Sequence, residues 1–169
     1  MLRLPSLIKP YVDFWSEDES FIQPPAKPSA DVDDETRKAY DEALADYTAK
    51  LTAVIDTGNW SALRKEGAGE PTGFVMRQLS ADVLGKILDL RQSDKIGERE
   101  VMSLVFRAAL ISLTHFDGPK IVHDEDEDLG NLVSLKWMES VGFVGAVGIR
   151  IIQEIGARVF VRASQLGPK

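Results

Sequence analysis

The chain of 169 residues contains no cysteine and only two histidines. Without thiols it can form no disulfide, no thiolate nucleophile and no cysteine-ligated zinc site. Zinc sites usually gather three or four closely spaced ligands, so His115 and His123 alone make a weak case for a metal centre. We therefore expect no metal and no cofactor. Carboxylates are the main candidates left for chemistry.

The sequence also lacks an excess of basic charge and a long apolar run. Its formal net charge is -7, which argues against a broad nucleic-acid surface, because affinity for phosphates comes chiefly from Lys and Arg. Its longest apolar stretch, at residues 141–149, is well short of the roughly 20 residues that a membrane span needs. Pro5 and Pro10 interrupt the apolar N-terminus, which is not typical of a secretory signal. We expect a soluble protein without nucleic-acid or membrane partners.

The composition itself is that of a folded protein. Hydrophobic residues make up 44% of the chain and charged residues 28%, which are ordinary values for a globular domain. We predict an extended arm rich in proline and aromatic residues at residues 1–30, a single helical domain at residues 31–165 and a frayed tail at residues 166–169. The predicted fold class is mainly α, a small helical domain of about four to five helices with one or two short strands.

The arm has too many prolines for a continuous helix. Its aromatic side chains are Tyr11, Phe14, Trp15 and Phe21. These rings could pack on the protein's own body or in a partner's groove. The cost of leaving aromatic rings exposed favours packing within the chain.

Apolar periodicity and capping residues place the remaining elements. A stripe of apolar residues at alternating steps of four and three indicates an amphipathic helix that Asp33 or Asp34 caps and Gly58 ends. Packing of this stripe on the core is favoured over a coiled-coil seam. Ser80 is well placed to cap a second helix. We expect helices at residues 33–56, 81–92, 97–116 and 132–156, and strand character at residues 73–80 and 157–164.

Arg107 lies in the middle of the third predicted helix, which is apolar almost all round. A guanidinium there must reach solvent or a carboxylate, because buried charges are normally paired. We expect a structural salt bridge rather than a binding role.

Five consecutive acidic residues at positions 124–128 are the most conspicuous local pattern. A calcium-binding EF-hand loop counted from Asp124 would need glycine at its sixth position and glutamate at its twelfth, where this chain has Leu129 and Leu135. Paired catalytic carboxylates need contrasting environments, which one solvated run does not supply. The favoured reading places these acids before the last helix, where each stabilises the positive helix end by ~0.3–1 kcal/mol.

The sequence also contains no nucleotide-binding motif and no motif that marks a catalytic nucleophile. The chain has no G-x-S-x-G pattern, and Gly142, Gly145 and Gly148 are spaced by threes, unlike a dinucleotide-binding loop. These glycines are better suited to close approach of another helix. We therefore predict no catalytic residues and expect that the protein is not an enzyme.

The pattern of residues 74–156, about half of the chain, resembles the tail assembly chaperones of long-tailed bacteriophages. Those proteins often show an Arg-plus-Leu-Ser/Thr entry into a helix, matched by residues 76–80. They also show a D-G-x-x-(I/F)-x-x-(D/E) hairpin and a following leucine that opens the last helix. The matching positions are Asp117, Gly118, Ile121 and Asp124, followed by Leu129 or Leu132. The arm and the helix at residues 33–56 have no counterpart in this pattern.

The resemblance implies a chaperone that coats the long tape measure protein and helps the tail tube protein polymerise round it, in the cytoplasm of an infected bacterium. Such a role needs an adaptable apolar groove and a charged exterior. The expected partner-binding residues lie on the last helix, at Trp137, Val141, Val144 and Ile151. Whether the protein forms a homo-oligomer stays open.

Two other classes compete with this reading. One is a virion structural protein, such as a head-tail connector or a minor capsid or tail component, whose arm binds its neighbours. The other is a small regulatory protein with a defined host partner.

Overall fold

The computed structural model describes residues 9–165. Contacts divide the chain into two units, which we call the core unit, built from residues 9–15 and 72–165, and the inserted unit, Ser16–Pro71. The expected boundary at residue 30 stays a prediction. The expected frayed tail and the first eight residues of the arm lie outside the described residues.

The inserted unit consists mainly of helix α1, Asp34–Thr57, and a short 3-10 helix, Trp60–Leu63. Both predicted ends of α1 are confirmed: the side chain of Asp33 accepts a hydrogen bond from the Thr36 amide at 2.7 Å, and Gly58 ends the helix at φ +70°. The left-handed conformation at that position favours glycine.

Phe21, at the start of the inserted unit, is fully buried and packs on Trp60 with ring centroids 5.3 Å apart. The amide of Ile22 donates to the Leu63 carbonyl at 2.8 Å and fixes this segment beside the 3-10 helix. Packing within the chain, as expected for the arm, is therefore confirmed for Phe21.

The core unit combines helices with two small antiparallel sheets. Its strands are β1 Tyr11–Phe14, β2 Gly73–Met76, β3 Leu110–Thr114, β4 His123–Asp126 and β5 Gly130–Val133, in a three-stranded sheet of order β1-β2-β3 and a β4-β5 hairpin. Its helices are α2 Ala81–Gln92, α3 Glu98–Ala109, α4 Leu135–Ser140 and α5 Ala146–Gln165. Ser80 caps α2 as predicted, since its hydroxyl accepts from the Val83 amide at 3.2 Å.

The hydrophobic core lies where α3 crosses α5. A Cβ on Gly156 would come within 2.7 Å of the Met102 carbonyl oxygen, so only glycine permits this approach without a shift. The ring of Phe106 makes edge-on contacts with Phe74 and Phe143, each with centroids 6.1 Å apart. These aromatic rings join the sheet, α3 and the turn before α5 into one core.

The predicted fold class, mainly α with one or two strands, is wrong. The described residues hold five strands beside five α-helices, which makes the fold a mixed α/β one. Part of the error lies in residues 97–116, read as one helix, because the chain leaves the helix after Ala109 and forms β3. A five-residue strand that directly follows a helix is too short to show a clear change of periodicity at the boundary. The arm also contributes a strand, β1, which the prolines around it had concealed.

The acidic run does not precede a helix directly, so that reading is wrong. Asp124 and Asp126 belong to β4, and the carboxylate of Asp126 accepts from the amides of Asp128 at 3.0 Å and Leu129 at 2.9 Å. Gly130 follows with φ +76° and completes the turn into β5. The side chain of Asp126 thus closes a hairpin, which is a common use of aspartate in turns.

The predicted last helix at residues 132–156 is also wrong in its bounds. Its region holds β5, α4, a turn at residues 141–145 and the beginning of α5. Residues 157–164, predicted as a strand, are the final turns of α5. Glycines explain the break, because Gly142 adopts φ +80° and ends α4.

Candidate functional site

An apolar groove opens on the core unit where α3, α4 and the first turns of α5 meet. We call it the α4–α5 groove, and it encloses a cavity of about 280 Å³. Its lining residues are Arg99, Glu100, Ser103, Leu135, Met138, Phe143, Val144, Ile149, Ile152 and Gln153.

The groove exists because the turn after α4 folds back on α5. A Cβ on Gly148 would overlap the backbone of Phe143, so glycine lets the turn lie directly on the helix. The prediction that these glycines admit another helix is wrong at Gly148, because the turn that precedes α5 approaches it instead. Phe143 is held further by its amide, which donates to the Met138 carbonyl at 2.9 Å. The floor of the groove is therefore rigidly tied to the core.

The mouth of the groove is apolar and open. Leu135, Val144 and Ile149 keep 50%, 55% and 42% of their surface exposed. Val147 lies in the first turn of α5, as Ile149 does, and is 49% exposed. Scattered single apolar residues are common on protein surfaces, but a contiguous patch beside a concave site is typical of a binding surface.

The four residues expected to bind a partner do not lie together at this mouth. Val144 lines the groove and is exposed, whereas Val141 is partly buried against the core. Trp137 and Ile151 are buried, and the indole Nε1 of Trp137 donates to the Pro119 carbonyl at 3.1 Å. The role of Trp137 and Ile151 in partner binding stays a prediction, but both side chains belong to the hydrophobic core.

The sequence reading missed most of the groove. Leu135, Ile149 and Ile152 were not among the residues predicted to bind a partner, although all three line the groove. The signal that could have found them is Gly142, which ends α4 and starts a new helical register at Ala146.

Polar groups in the groove lie on one wall. Arg99, Glu100 and Ser103 come from α3, and Gln153 of α5 donates to the Arg99 carbonyl at 3.4 Å. One cation, one anion and two neutral groups beside apolar side chains can orient an amphipathic ligand.

Arg107 lies under the β4-β5 hairpin. Its Nε donates to the Val133 carbonyl oxygen at 2.7 Å. Partial burial lowers the pKa of this guanidinium, and the carboxylates of Asp124 and Asp126 oppose that shift. The direct partner of Arg107 is therefore a backbone carbonyl oxygen rather than the carboxylate of the predicted salt bridge, and Asp124 and Asp126 act on it only electrostatically.

The two histidines lie in different settings. His115 is exposed with φ +51°, while Nε2 of His123 lies 3.1 Å from the Leu110 carbonyl oxygen and joins β4 to the start of β3. In the part of the chain that the structure describes, no group of three or more His, Asp or Glu side chains lies close enough together to hold a metal ion.

A second cavity, of about 390 Å³, lies between β3 and the loop that follows it. Its lining comprises Ile111, Ser112, Leu113, Phe116, Gly118, Pro119, Lys120 and Ile121. The hydrogen bond from Trp137 to Pro119 anchors this loop to α4. Lys120 is the one charged side chain among the lining residues of this cavity.

Within residues 9–165 no helix combines the length and the apolar character that crossing a membrane requires. Comparisons with protein-family models, curated proteins and solved structures returned no match to this chain. The resemblance to phage tail assembly chaperones therefore stays a hypothesis, supported by the residue pattern alone.

Proposed function

We propose that this protein is an assembly chaperone that holds an amphipathic helix of a client in the α4–α5 groove. The client that the residue pattern implies is the tape measure protein of a long-tailed bacteriophage, with the tail tube protein as a further partner. The observation that carries the proposal is the apolar mouth formed by Leu135, Val144 and Ile149, each about half exposed.

The groove has the features that helix-in-groove recognition uses. Apolar side chains at steps of three and four along a client helix would enter beside Phe143 and Ile152, which form the buried floor. Arg99 and Glu100 on the α3 wall would face the polar flank of that helix. One cation and one anion impose little sequence preference, which suits a chaperone that must bind many similar segments of one long client.

The net charge of -7 supports the same role. Charge far from zero keeps a protein dispersed, so a chaperone coating an aggregation-prone client would keep the complex in solution.

The alternative of a virion structural protein depends on an arm that reaches a neighbour. Phe21 is fully buried, and Tyr11 and Trp15 pack partly buried against the core, so these rings are engaged within the chain. No observation in the described residues favours that alternative over the groove.

The test is co-expression with the longest helical protein encoded next to this gene. Val144→Asp and Ile149→Asp place charge at the mouth of the groove, where both side chains are exposed and folding should tolerate it. We expect the client to stay in the soluble fraction with the wild-type chain and to be lost from it with either variant.

The matched control is Val161→Asp. Val161 lies on α5, as Ile149 does, and 52% of its surface is exposed, but it does not line the groove. Circular dichroism must show that all variants are folded. Equal client solubility with groove and control variants would contradict the proposal. Mass spectrometry of purified particles separates the two classes, since a chaperone should be missing from the mature virion.

A further inference from the structure

Helix α5 carries arginines along the face that meets the N-terminal strand. Arg158 and Arg162 are four residues apart and lie on one side of the helix, and Arg150 lies eight residues before Arg158. Each contacts a different member of the alternating set Tyr11, Asp13 and Trp15. The contacts are Arg162 Cζ to the Tyr11 ring at 4.2 Å, Arg158 Nε to Asp13 Oδ2 at 3.0 Å and Arg150 Cζ to the Trp15 ring at 5.7 Å.

The spacing of residues along α5 matches that along β1 where Arg158 and Arg162 meet Asp13 and Tyr11. Four residues of helix rise about 6 Å, and two residues of strand advance about 6.6 Å. Arg158 and Arg162 therefore stay in step with Asp13 and Tyr11. A strand shifted by one residue would place Val12 or Phe14 opposite Arg158 and turn the carboxylate away.

The central pair is buried. Asp13 is 5% exposed, and the Arg158 side chain is 11% exposed. Arg158 also donates to Glu154 Oε1 at 2.9 Å and to the Phe14 carbonyl oxygen. One guanidinium thus recognises a carboxylate and the strand backbone together, and charge-assisted bonds of this type are strong and directional.

The strand is nevertheless costly to hold. The hydroxyl of Tyr11 and the indole Nε1 of Trp15 are buried without a hydrogen-bond partner, and each such group costs free energy. Burial also raises the pKa of Asp13, because desolvation opposes the charged form of its carboxyl group. Elements that carry such costs at the edge of a sheet are expected to open locally before the core does.

We propose that the edge of β2 that pairs with β1, together with the arginine row of α5, forms a strand-acceptor site. The chain's own residues 11–15 fill it in this structure. An extended partner segment with an acidic residue flanked, two positions away on each side, by aromatic residues fills it in exchange. The site is separate from the α4–α5 groove and does not depend on the chaperone role.

The chemistry of the site selects this occupant. The β2 edge supplies backbone hydrogen bonds to any extended chain, as in other cases of strand addition. Arg158 requires a carboxylate at the central position. Arg150 and Arg162 favour aromatic rings at the two flanking positions, since guanidinium groups bind the faces of such rings.

The first test is amide hydrogen exchange on the wild-type chain. We expect the amide of Asp13, which by the alternation of an antiparallel ladder faces β2, to exchange at least tenfold faster than those in the middle of α3, because β1 opens while the helices stay folded. Equal protection of β1 and α3 would show that the strand leaves only when the unit unfolds, and would overturn the proposal.

The second test measures binding of a synthetic peptide with the sequence of residues 9–16. The full-length double variant Asp13→Ala/Trp15→Ala weakens the internal strand and leaves the acceptor intact. We expect the peptide to bind it about tenfold more tightly than the wild-type chain, where the internal strand competes at high effective concentration. A peptide with lysine in place of the aspartate is the control, and equal binding of both peptides would count against the site.

Adding Arg158→Gln to the double variant should abolish binding of the native peptide. If binding persists at full strength, the arginine row is not the acceptor and the proposal fails. Should the double variant not fold, the single change Trp15→Ala serves in its place, since it removes the ring that meets Arg150 and keeps the Asp13–Arg158 pair.

Discussion

Nε of Arg158 lies 3.0 Å from Oδ2 of Asp13, although 145 residues separate the two along the chain. This contact joins the first described strand to the last helix, and both partners are almost fully removed from solvent. A buried ion pair is weak evidence for stability, because desolvation offsets most of the attraction, but loss of one partner is costly. Substitution of Arg158 and substitution of Asp13 should therefore lower the free energy of unfolding by different amounts.

Arg158→Met should lower the free energy of unfolding by ~3–5 kcal/mol, because it leaves the Asp13 carboxylate buried without its cation. Asp13→Asn should cost clearly less, since Arg158 keeps Glu154 and the Phe14 carbonyl as acceptors. Urea denaturation measures both. Lys50→Met is the control, because its pair with Asp46 is exposed and is worth under ~1 kcal/mol. Equal losses in the two core variants would show that the pair acts symmetrically.

The pH dependence of stability should carry the signature of Asp13. Burial raises the pKa of this carboxyl above its ordinary value of 3.8, so the folded state holds the proton more tightly than the unfolded state. The resulting contribution to stability is fully present below pH 3.8 and is lost as the pH rises through the higher folded-state pKa. The difference in unfolding free energy between the wild type and Asp13→Asn should therefore shift in favour of the wild type on acidification from pH 7. A shift in the opposite direction would mean that pairing with Arg158 outweighs desolvation.

Tyr11→Phe should leave stability unchanged or raise it by ~1 kcal/mol, because the hydroxyl is buried without a hydrogen-bond partner. The ring face that meets Arg162 is kept. Burial raises the pKa of Tyr11 to about 12, so the phenol stays neutral throughout the usual range of measurement. Thermal denaturation at pH 7 checks the expectation, and a loss above ~1 kcal/mol would indicate a partner for the hydroxyl.

The sequence predicts three helix ends correctly, but the local turn at Asp126 and the helix end at Gly142 were missed, as were boundaries that depend on distant contacts. Asp33, Gly58 and Ser80 mark helix ends through hydrogen bonds or backbone conformations within a few residues, so their types suffice to predict them. The change from α3 to β3 at Leu110 has no such mark. It follows from pairing with β2, whose partner residues lie more than thirty positions earlier in the chain.

The candidate site shows the same division. Apolar residues on the last helical region predicted a greasy surface, and Val144 does lie exposed in the groove. Trp137 is instead buried in the core, and the end of its helix at Ser140 was not predicted. The pairing of Asp13 with α5 could not be predicted, because no periodicity relates positions so far apart.

Gly156→Ala should destabilise the protein by ~1–3 kcal/mol, although alanine is the better helix former. The new Cβ would come within 2.7 Å of the Met102 carbonyl oxygen and push α3 away from α5. Gly85→Ala in α2 is the matched control, because nothing lies within 4 Å of the Cβ that it adds. That control should gain ~0.5–1 kcal/mol. Similar effects at the two positions would show that the α3–α5 crossing is not closely packed.

Charged substitutions at two nearby positions of α5 should distinguish residues of the groove from residues of the hydrophobic core. Ile149→Asp replaces a 42% exposed side chain and should change the urea midpoint little. Ile151→Asp puts a carboxylate where 9% of the side chain is exposed, so it should unfold the core unit. A folded Ile149→Asp chain that no longer keeps the client soluble would assign binding to the groove rather than to general stability. If instead both variants fold and both retain the client, the apolar mouth is not the binding surface, and the second cavity beside β3 becomes the next surface to vary.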